Sequence, residues 1–323
     1  MAAHLSEVPY LLYAYLMKQF GCLIVGFRRS DEIIQVMNQV KDEGFNRVFI
    51  SIDGTLGLSE ETAQQNLFAR KVVTEFIHEN ALPWDLIFRE VRFGIVKNFT
   101  ASIDRAFEEV DYLCILEDDC VPASGFLNYF KNALDSKYTD RVKMFTFFRP
   151  DTRMISQGSF ATHNPLMWGW GLSKKNWAVI KEGISPKSNI QGLARFKSLP
   201  FQSFYFSGYS RAVSGKSDAL DALISYFLLM NDYLVIGPPR SLISNIGYGP
   251  LATNTKVKSR FLGSDTSDWN SNDHSFSADL SLFSIFKNDY AIAREMNKWK
   301  FHHLLSSYLK IKFKDRTAEL FSD

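Results

Sequence analysis

The chain has 323 residues, 46% hydrophobic and 22% charged, with a formal net charge of +2. That length and balance describe a globular protein with a full core, as one large α/β domain or two modest ones, and exclude a disordered chain. A charge so near zero gives no polyanion-binding footprint, so nucleic acid is not an expected partner.

In chain order, the apolar patch from Val8 to Met17 has about half the roughly 20 residues that a bilayer span requires. It lacks a basic n-region and is expected to form a short leading helix, with a cytoplasmic location following. Cys22 to Phe27 is a β-branched apolar run that predicts a strand, followed by the polar loop Arg28-Arg29-Ser30-Asp31 and a helix over Glu32 to Lys41. The pattern repeats with a strand at Arg47 to Ile52, ending in Asp53-Gly54, and a helix at Glu60 to Glu79. Trp84 to Glu90, a loop through Arg92-Phe93-Gly94, a helix near Asn98 to Glu109 and the strand Tyr112 to Leu116 complete the first half. Alternation at this pitch implies a mostly parallel sheet flanked by helices, with ligands gathering at the carboxyl ends of the strands. Arg28, Asp53 and the acids after Leu116 all fall there.

Further on, a helix is expected at Ser124 to Lys137 and strands at Lys143 to Phe148 and near Met167 to Leu172. Gly192 to Ser217 reads as a mobile loop over the site, Asp218 to Asn231 as a helix and Tyr233 to Gly237 as a strand. Ser264 to Asp279 has linker composition, and Leu280 to Lys314 reads as a basic, aromatic helix. The division expected is a catalytic domain over 1–265 and a linker with C-terminal helical extension over 266–323. Cys22, Cys114 and Cys120 are an odd set, which favours free thiols and a reducing compartment.

The most informative segment is Leu116-Glu117-Asp118-Asp119-Cys120. An acidic run is ordinarily a solvated or salt-bridged turn. This one has apolar flanks on both sides, and burying neighbouring anions costs on the order of several kcal/mol each unless a metal or proton compensates. Oxygen-only ligands suit Mg²⁺ or Mn²⁺, which combine carboxylates with substrate phosphates. Metal-assisted chemistry on a phosphorylated substrate is the first expectation.

Together with separated segments in the same order, this motif resembles bacterial glycosyltransferases of the GT-A fold that carry an LEDDC motif, similar in pattern to N-acetylglucosaminyltransferase I. Cys22 to Arg28 resembles the opening strand with its Phe-x-Arg end, and Ile52-Asp53-Gly54 the second strand. Gly94 with Phe107-Glu108, Trp168-Gly169-Trp170 with Trp177, and Asn245-Ile246-Gly247-Tyr248-Gly249 match further blocks, so roughly residues 22 to 255 are covered.

The resemblance implies a metal-dependent, inverting glycosyltransferase that moves a hexose or N-acetylhexosamine from a nucleotide sugar, a UDP-sugar, to a glycan or lipid-linked saccharide in bacterial polysaccharide assembly. It implies Asp119 as the ligand of Mn²⁺ or Mg²⁺, with Glu117 and Asp118 orienting ribose or metal-bound water. Asp53 and Arg28 would meet the nucleotide and Arg92 a phosphate. Asp221, near the start of a helix preceding an apolar strand, would be the general base, and Asp218 the cap of that helix. For Asp53 an Asp-Gly turn is an equal reading.

The chain departs from the family at Asn254, where a His is usual, at Arg92, where an Asn is usual, and after Trp170, where Gly171 to Lys175 replace a Trp and two Arg. Two alternatives stay open: a GT-A-like glycan- or nucleotide-binding module with weak or no turnover, and a nucleotidyltransferase, although Gly26-Phe27-Arg28-Arg29 is no glycine-rich phosphate loop. His163 reads as a surface residue, and Trp168 and Trp170 as core. The C-terminal helix has three readings: peripheral contact with an anionic membrane, packing on the catalytic domain, or a dimer contact.

Overall fold

The computed structural model describes residues 18–136, 138–152, 154–155, 157–185, 208–209, 211–248, 266–269 and 278–297. The leading helix, most of the 192–217 loop and of the 264–279 linker, Ala252 to Thr255, and the C-terminal stretch beyond 297 lie outside these residues.

The first half follows the expected alternation. Strand β1 (Phe20–Gly26) leads to helix α1 (Ser30–Val40), β2 (Arg47–Ile52), α2 (Glu60–Glu79), β3 (Asp85–Phe88), α3 (Ile95–Ala106) and β4 (Tyr112–Glu117). β1 pairs in parallel with both β2 and β4, and β2 with β3. Its alternation sends Cys22 and Ile24 into one apolar layer and Leu23 and Val25 into the other, which is why the run is apolar throughout: both faces are covered.

The second half adds β5 (Cys120–Pro122), α4 (Phe126–Asp135), β6 (Val142–Thr146), β7 (Phe160–Thr162), β8 (Trp170–Ser173) and α5 (Lys174–Gly183). After them come α6 (Leu220–Met230), β9 (Leu234–Gly237), β10 (Ile243–Asn245) and α7 (Leu282–Asn297). The main sheet runs β3-β2-β1-β4-β8-β6-β9-β7. β8 runs antiparallel to both β4 and β6, and β7 antiparallel to β9, while β6 and β9 are parallel. The chain is thus α/β with a large central sheet flanked by helices, parallel throughout its first half and mixed in its second. The short strands β5, β7 and β10 escaped the sequence reading, because three residues are too few for an alternation to register.

Helices α1, α2, α4 and α7 contribute to the apolar layer on one face of the sheet, α3 and α5 to the other, and α6 to both. Helix α6 is apolar nearly all round, as a helix wedged into a core must be. From Leu220 to Leu229 every residue is buried except Asp221.

Candidate functional site

The site forms where β1 and β4 end side by side. Their parallel register sets Val25 beside Glu117, and the Asp118 amide continues the ladder to the Val25 carbonyl at 3.0 Å. The chain then turns at Asp118-Asp119 into β5. β5 is held by an antiparallel ribbon with β10, in which Asn245 lies opposite Cys120.

Asp118 and Asp119 are buried, each 7% exposed, and Glu117 is half-buried. One Asp118 oxygen accepts the Phe27 amide at 3.1 Å, and the other accepts Arg29 Nη1, also at 3.1 Å. The same Nη1 donates to Asp119 Oδ2. Asp119 Oδ1 accepts Asn245 Nδ2 at 3.3 Å, and the Ile246 amide closes on the Asp119 carbonyl at 2.9 Å. Gly247 passes so near the Asp119 carboxylate that a β-carbon there would collide with it.

These contacts leave the acids under-neutralised. Burial first, then repulsion from Asp119, Asp118 and Asp221, pushes the Glu117 carboxyl up to about 8. Burial, opposed by the Arg29 charge, raises Asp118 to about 7. Asp221 belongs to the same electrostatic neighbourhood, since its charge is felt at Glu117. It is exposed, yet desolvation by the surrounding protein raises its own carboxyl. An acid that is both accessible and crowded suits a recess better than an open convex face.

Asp53 follows β2 at the same edge, but its carboxylate is committed to backbone. It accepts the amides of Gly54 at 2.9 Å and of Phe93 and Gly94 at 2.8 Å each, fixing the loop that enters α3. Asn66 and Arg70 hold its carbonyl, each at 3.0 Å. Arg92, on the loop that Asp53 fixes, is exposed and makes no hydrogen bond or ion pair with any described residue.

Arg28 points to Gln65 at 3.4 Å, whereas its neighbour Arg29 reaches the acids. Arg29 was missed by the sequence reading, although Phe27-Arg28-Arg29 is itself a Phe-x-Arg spacing. Asn245 and Gly247 were noticed only as part of a block, and their grip on Asp119 depends on the β5–β10 ribbon.

Two expectations are corrected. Asp218 does not cap α6, whose N-cap is Ala219 with no side-chain cap bond. It caps α3 instead, accepting the Ile95 amide and, at 2.9 Å, the Val96 amide. The N-terminal amides of α3 lack partners within their own helix, and a carboxylate from 122 residues away satisfies them. His163 is not a surface residue. It is 6% exposed, with Nδ1 2.7 Å from Asp289 and Nε2 3.1 Å from Asp232. Trp170 is core, at 1% exposure.

No protein-family model matches the chain, and no curated protein matches it in sequence. Among solved structures, TarS residues 1–349 of Staphylococcus aureus are similar at a TM-score of 0.43 and 12% identity, over 70% of this chain and 59% of that one. A mannosyltransferase of Pyrobaculum calidifontis, solved with GDP-Man and Mn²⁺, gives a TM-score of 0.33 and 9% identity over 51% of each chain. Glucosyl-3-phosphoglycerate synthase of Mycobacterium tuberculosis, solved with Mn²⁺ and UDP, gives 0.34 and 11%, over 54% of this chain and 63% of that one. The chain spans about half to two thirds of the length of these proteins.

Whether the acids suit a divalent cation can be judged from the donor set. Among the described residues no three His, Cys, Asp or Glu side chains are grouped as a cage. Mg²⁺ and Mn²⁺ do not need one, because one or two carboxylates, water and substrate phosphates suffice. Desolvation first, with repulsion among the acids, raises Asp118 to about 7 and the half-buried Glu117 to about 8, a penalty that a bound cation would relieve. The donor type at this edge is thus compatible with such an ion, with Glu117 and Asp119 beside an Asp118 whose two oxygens already accept from Phe27 and Arg29.

Proposed function

We propose that the chain is a divalent-metal-dependent glycosyltransferase of the GT-A type, acting on a nucleotide sugar, most simply a UDP-sugar, by inversion. The observation that carries this reading is the gathering of Glu117, Asp118 and Asp119 at the carboxyl edge of β1 and β4, with Arg29 bridging Asp118 and Asp119 and the charge of Asp221 felt at Glu117. The leaving group of a nucleotide sugar is the nucleoside diphosphate, whose growing charge must be neutralised as its bond to the anomeric carbon breaks. Asp119 would hold a divalent cation, which would supply that neutralisation.

The remaining work falls to the chain. Arg29 holds Asp118 and Asp119 in place and adds a fixed positive charge beside the diphosphate site. Arg92 stands free on the loop braced by Asp53 and offers a guanidinium to phosphate oxygens. Asp53 acts through that loop as a positioning residue. Asp221, the one exposed position on a buried helix, removes the proton from the acceptor hydroxyl as it attacks the anomeric carbon; its raised pKa moves it toward the working pH, where a general base is most effective. A glycan or lipid-linked saccharide is the acceptor class that fits this role.

Calorimetric titration of UDP with and without Mn²⁺ tests the centre of the proposal. Wild type is expected to bind UDP at least about tenfold more tightly with Mn²⁺, and Asp119→Ala to lose that dependence while keeping its far-ultraviolet circular dichroism. Equal Mn²⁺ dependence in wild type and variant would remove Asp119 as the ligand. A donor-hydrolysis assay on wild type separates an enzyme from a binding module.

A further inference from the structure

We propose that Asp218 is a positioning residue for Asp221: it ties the start of α6 to the start of α3 and so sets where the general base stands at the carboxyl edge. The inference rests on the proposed role of Asp221 and adds a residue that acts through it.

Four consecutive amides make the junction. Asp53, at the end of β2, accepts those of Phe93 and Gly94 at 2.8 Å each, and Asp218 accepts those of Ile95 and, at 2.9 Å, Val96. Neither helix caps itself. Gly94, the N-cap of α3, has no side chain to offer, and Ala219, the N-cap of α6, makes no side-chain cap bond. The two helix starts approach so closely that a β-carbon on Gly94 would strike the Asp218 carboxylate, and Gly94 has a φ of 81°, a conformation that glycine adopts without strain. The loop from Phe93 to Val96 is thus gripped by one carboxylate from the sheet and one from the entry to α6.

What lies on either side of Asp218 gives that grip its importance. On the C-terminal side, Leu220 and Ala222 to Leu229 are buried, so packing holds the body of α6. On the N-terminal side, Arg211 and residues 213–216 are exposed, and among the described residues the hydrogen bonds of 211–217 stay within that segment. Asp218 is the anchor where this exposed segment enters the helix. Asp221 stands three residues further on, exposed and in the first turn, with no burial of its own to fix it. Helix ends fray unless their terminal groups are tied. Fraying here would move the Asp221 carboxylate relative to Glu117, and a displacement of about 1 Å in a catalytic group costs about 10²-fold in rate.

Steady-state turnover of UDP-glucose and UDP-N-acetylglucosamine with Mn²⁺, read as UDP release by the full chain, is the test. Asp218→Ala is expected to lose at least about tenfold in kcat while the donor KM stays within about twofold. Its far-ultraviolet circular dichroism should be unchanged, since Asp218 is exposed and its removal leaves no cavity. Asp218→Asn keeps an oxygen for the α3 amides and should return kcat to within about threefold of wild type. Added to Asp221→Asn, Asp218→Ala should cost less than about twofold, because nothing is left for it to position. Unchanged kcat in Asp218→Ala, an Asn variant as slow as the Ala variant, or a tenfold loss that persists in the Asp221→Asn background overturns the proposal. So does a loss confined to the donor KM, which would place the effect of Asp218 in the Arg92 loop. Full turnover by Asp221→Asn removes the base itself, and no turnover of either donor by wild type removes the proposed function; both are read with Asp218 intact, and the inference falls with them.

Discussion

Two clusters of charge, each with a buried centre, sit at different places on the same sheet, and they are built on opposite principles. At the end of β1 and β4, Asp118 and Asp119 share the Arg29 guanidinium, and Glu117 beside them feels the charges of both and of Asp221. At the β7 edge, Asp289 and Asp232 face His163 and Arg141, with Arg141 2.9 Å from Asp232. Burial alone would lower the His163 pKa, but Asp289 and then Asp232 outweigh it and hold the imidazole above its ordinary value. The second cluster is balanced within the chain and fastens α7 to the sheet. The first holds more acid than cation among the described residues, and its Glu117 and Asp118 carboxyls are raised accordingly. On the proposed function, it is this net imbalance, more than burial or the number of acids, that distinguishes the first cluster from a structural clamp.

The largest expected effect falls on the unbalanced side. Asp221→Asn should lower sugar transfer by about 10²- to 10⁴-fold while leaving Mn²⁺-dependent UDP binding intact, read by a transfer assay beside calorimetry. Full transfer by the variant would reduce Asp221 to a bystander.

The balanced side should break differently. Asp289→Asn leaves His163 with one acidic partner and is expected to destabilise the fold by about 3 kcal/mol in urea unfolding at pH 6. A histidine with a raised folded pKa contributes stability that is fully present below its unfolded value of about 6.5 and is lost as pH rises through the folded value. The gap between wild type and variant should therefore narrow from pH 6 to pH 9. A gap that widens over that range would mean that Asp289 works without the imidazolium.

The smallest effect has the opposite sign. A carboxyl raised in the folded state holds a proton that the unfolded chain has already released, so metal-free stability falls as pH rises from about 4.3, the unfolded value, to about 8. Glu117→Gln should stabilise the metal-free protein at pH 8.5 by about 1–2 kcal/mol, a figure reduced for partial solvent screening, and do nothing near pH 4. A loss of stability at pH 8.5 would show that the site is less strained by its own charge than its geometry implies.

Much of this contrast was visible before folding was considered. Strand β2 and helix α2 fall at the expected residues, and the acidic motif sits at the end of its strand because an apolar run meeting three acids is a local signal. His163 could not be read in this way. Its partners, Asp232 and Asp289, lie 69 and 126 residues away, and a lone histidine before a Trp-Gly block gives no hint of them. Asp218 was misassigned for a related reason: its position suits a cap on the next helix, and only the fold brings the start of α3 closer.

The sequence by itself determined the alternation of strands and helices, the carboxyl edge on which the polar residues collect, and the run of three acids at a strand end. Tertiary structure decided that Arg29 and not Arg28 meets those acids, that Asn245 and Gly247 enclose Asp119, and that Asp53 spends its carboxylate on backbone amides. Periodicity and acid runs are written in neighbouring residues, where sterics and solvation act over one or two turns of chain. Which charge meets which depends on strand order and register, set by core packing across more than a hundred residues.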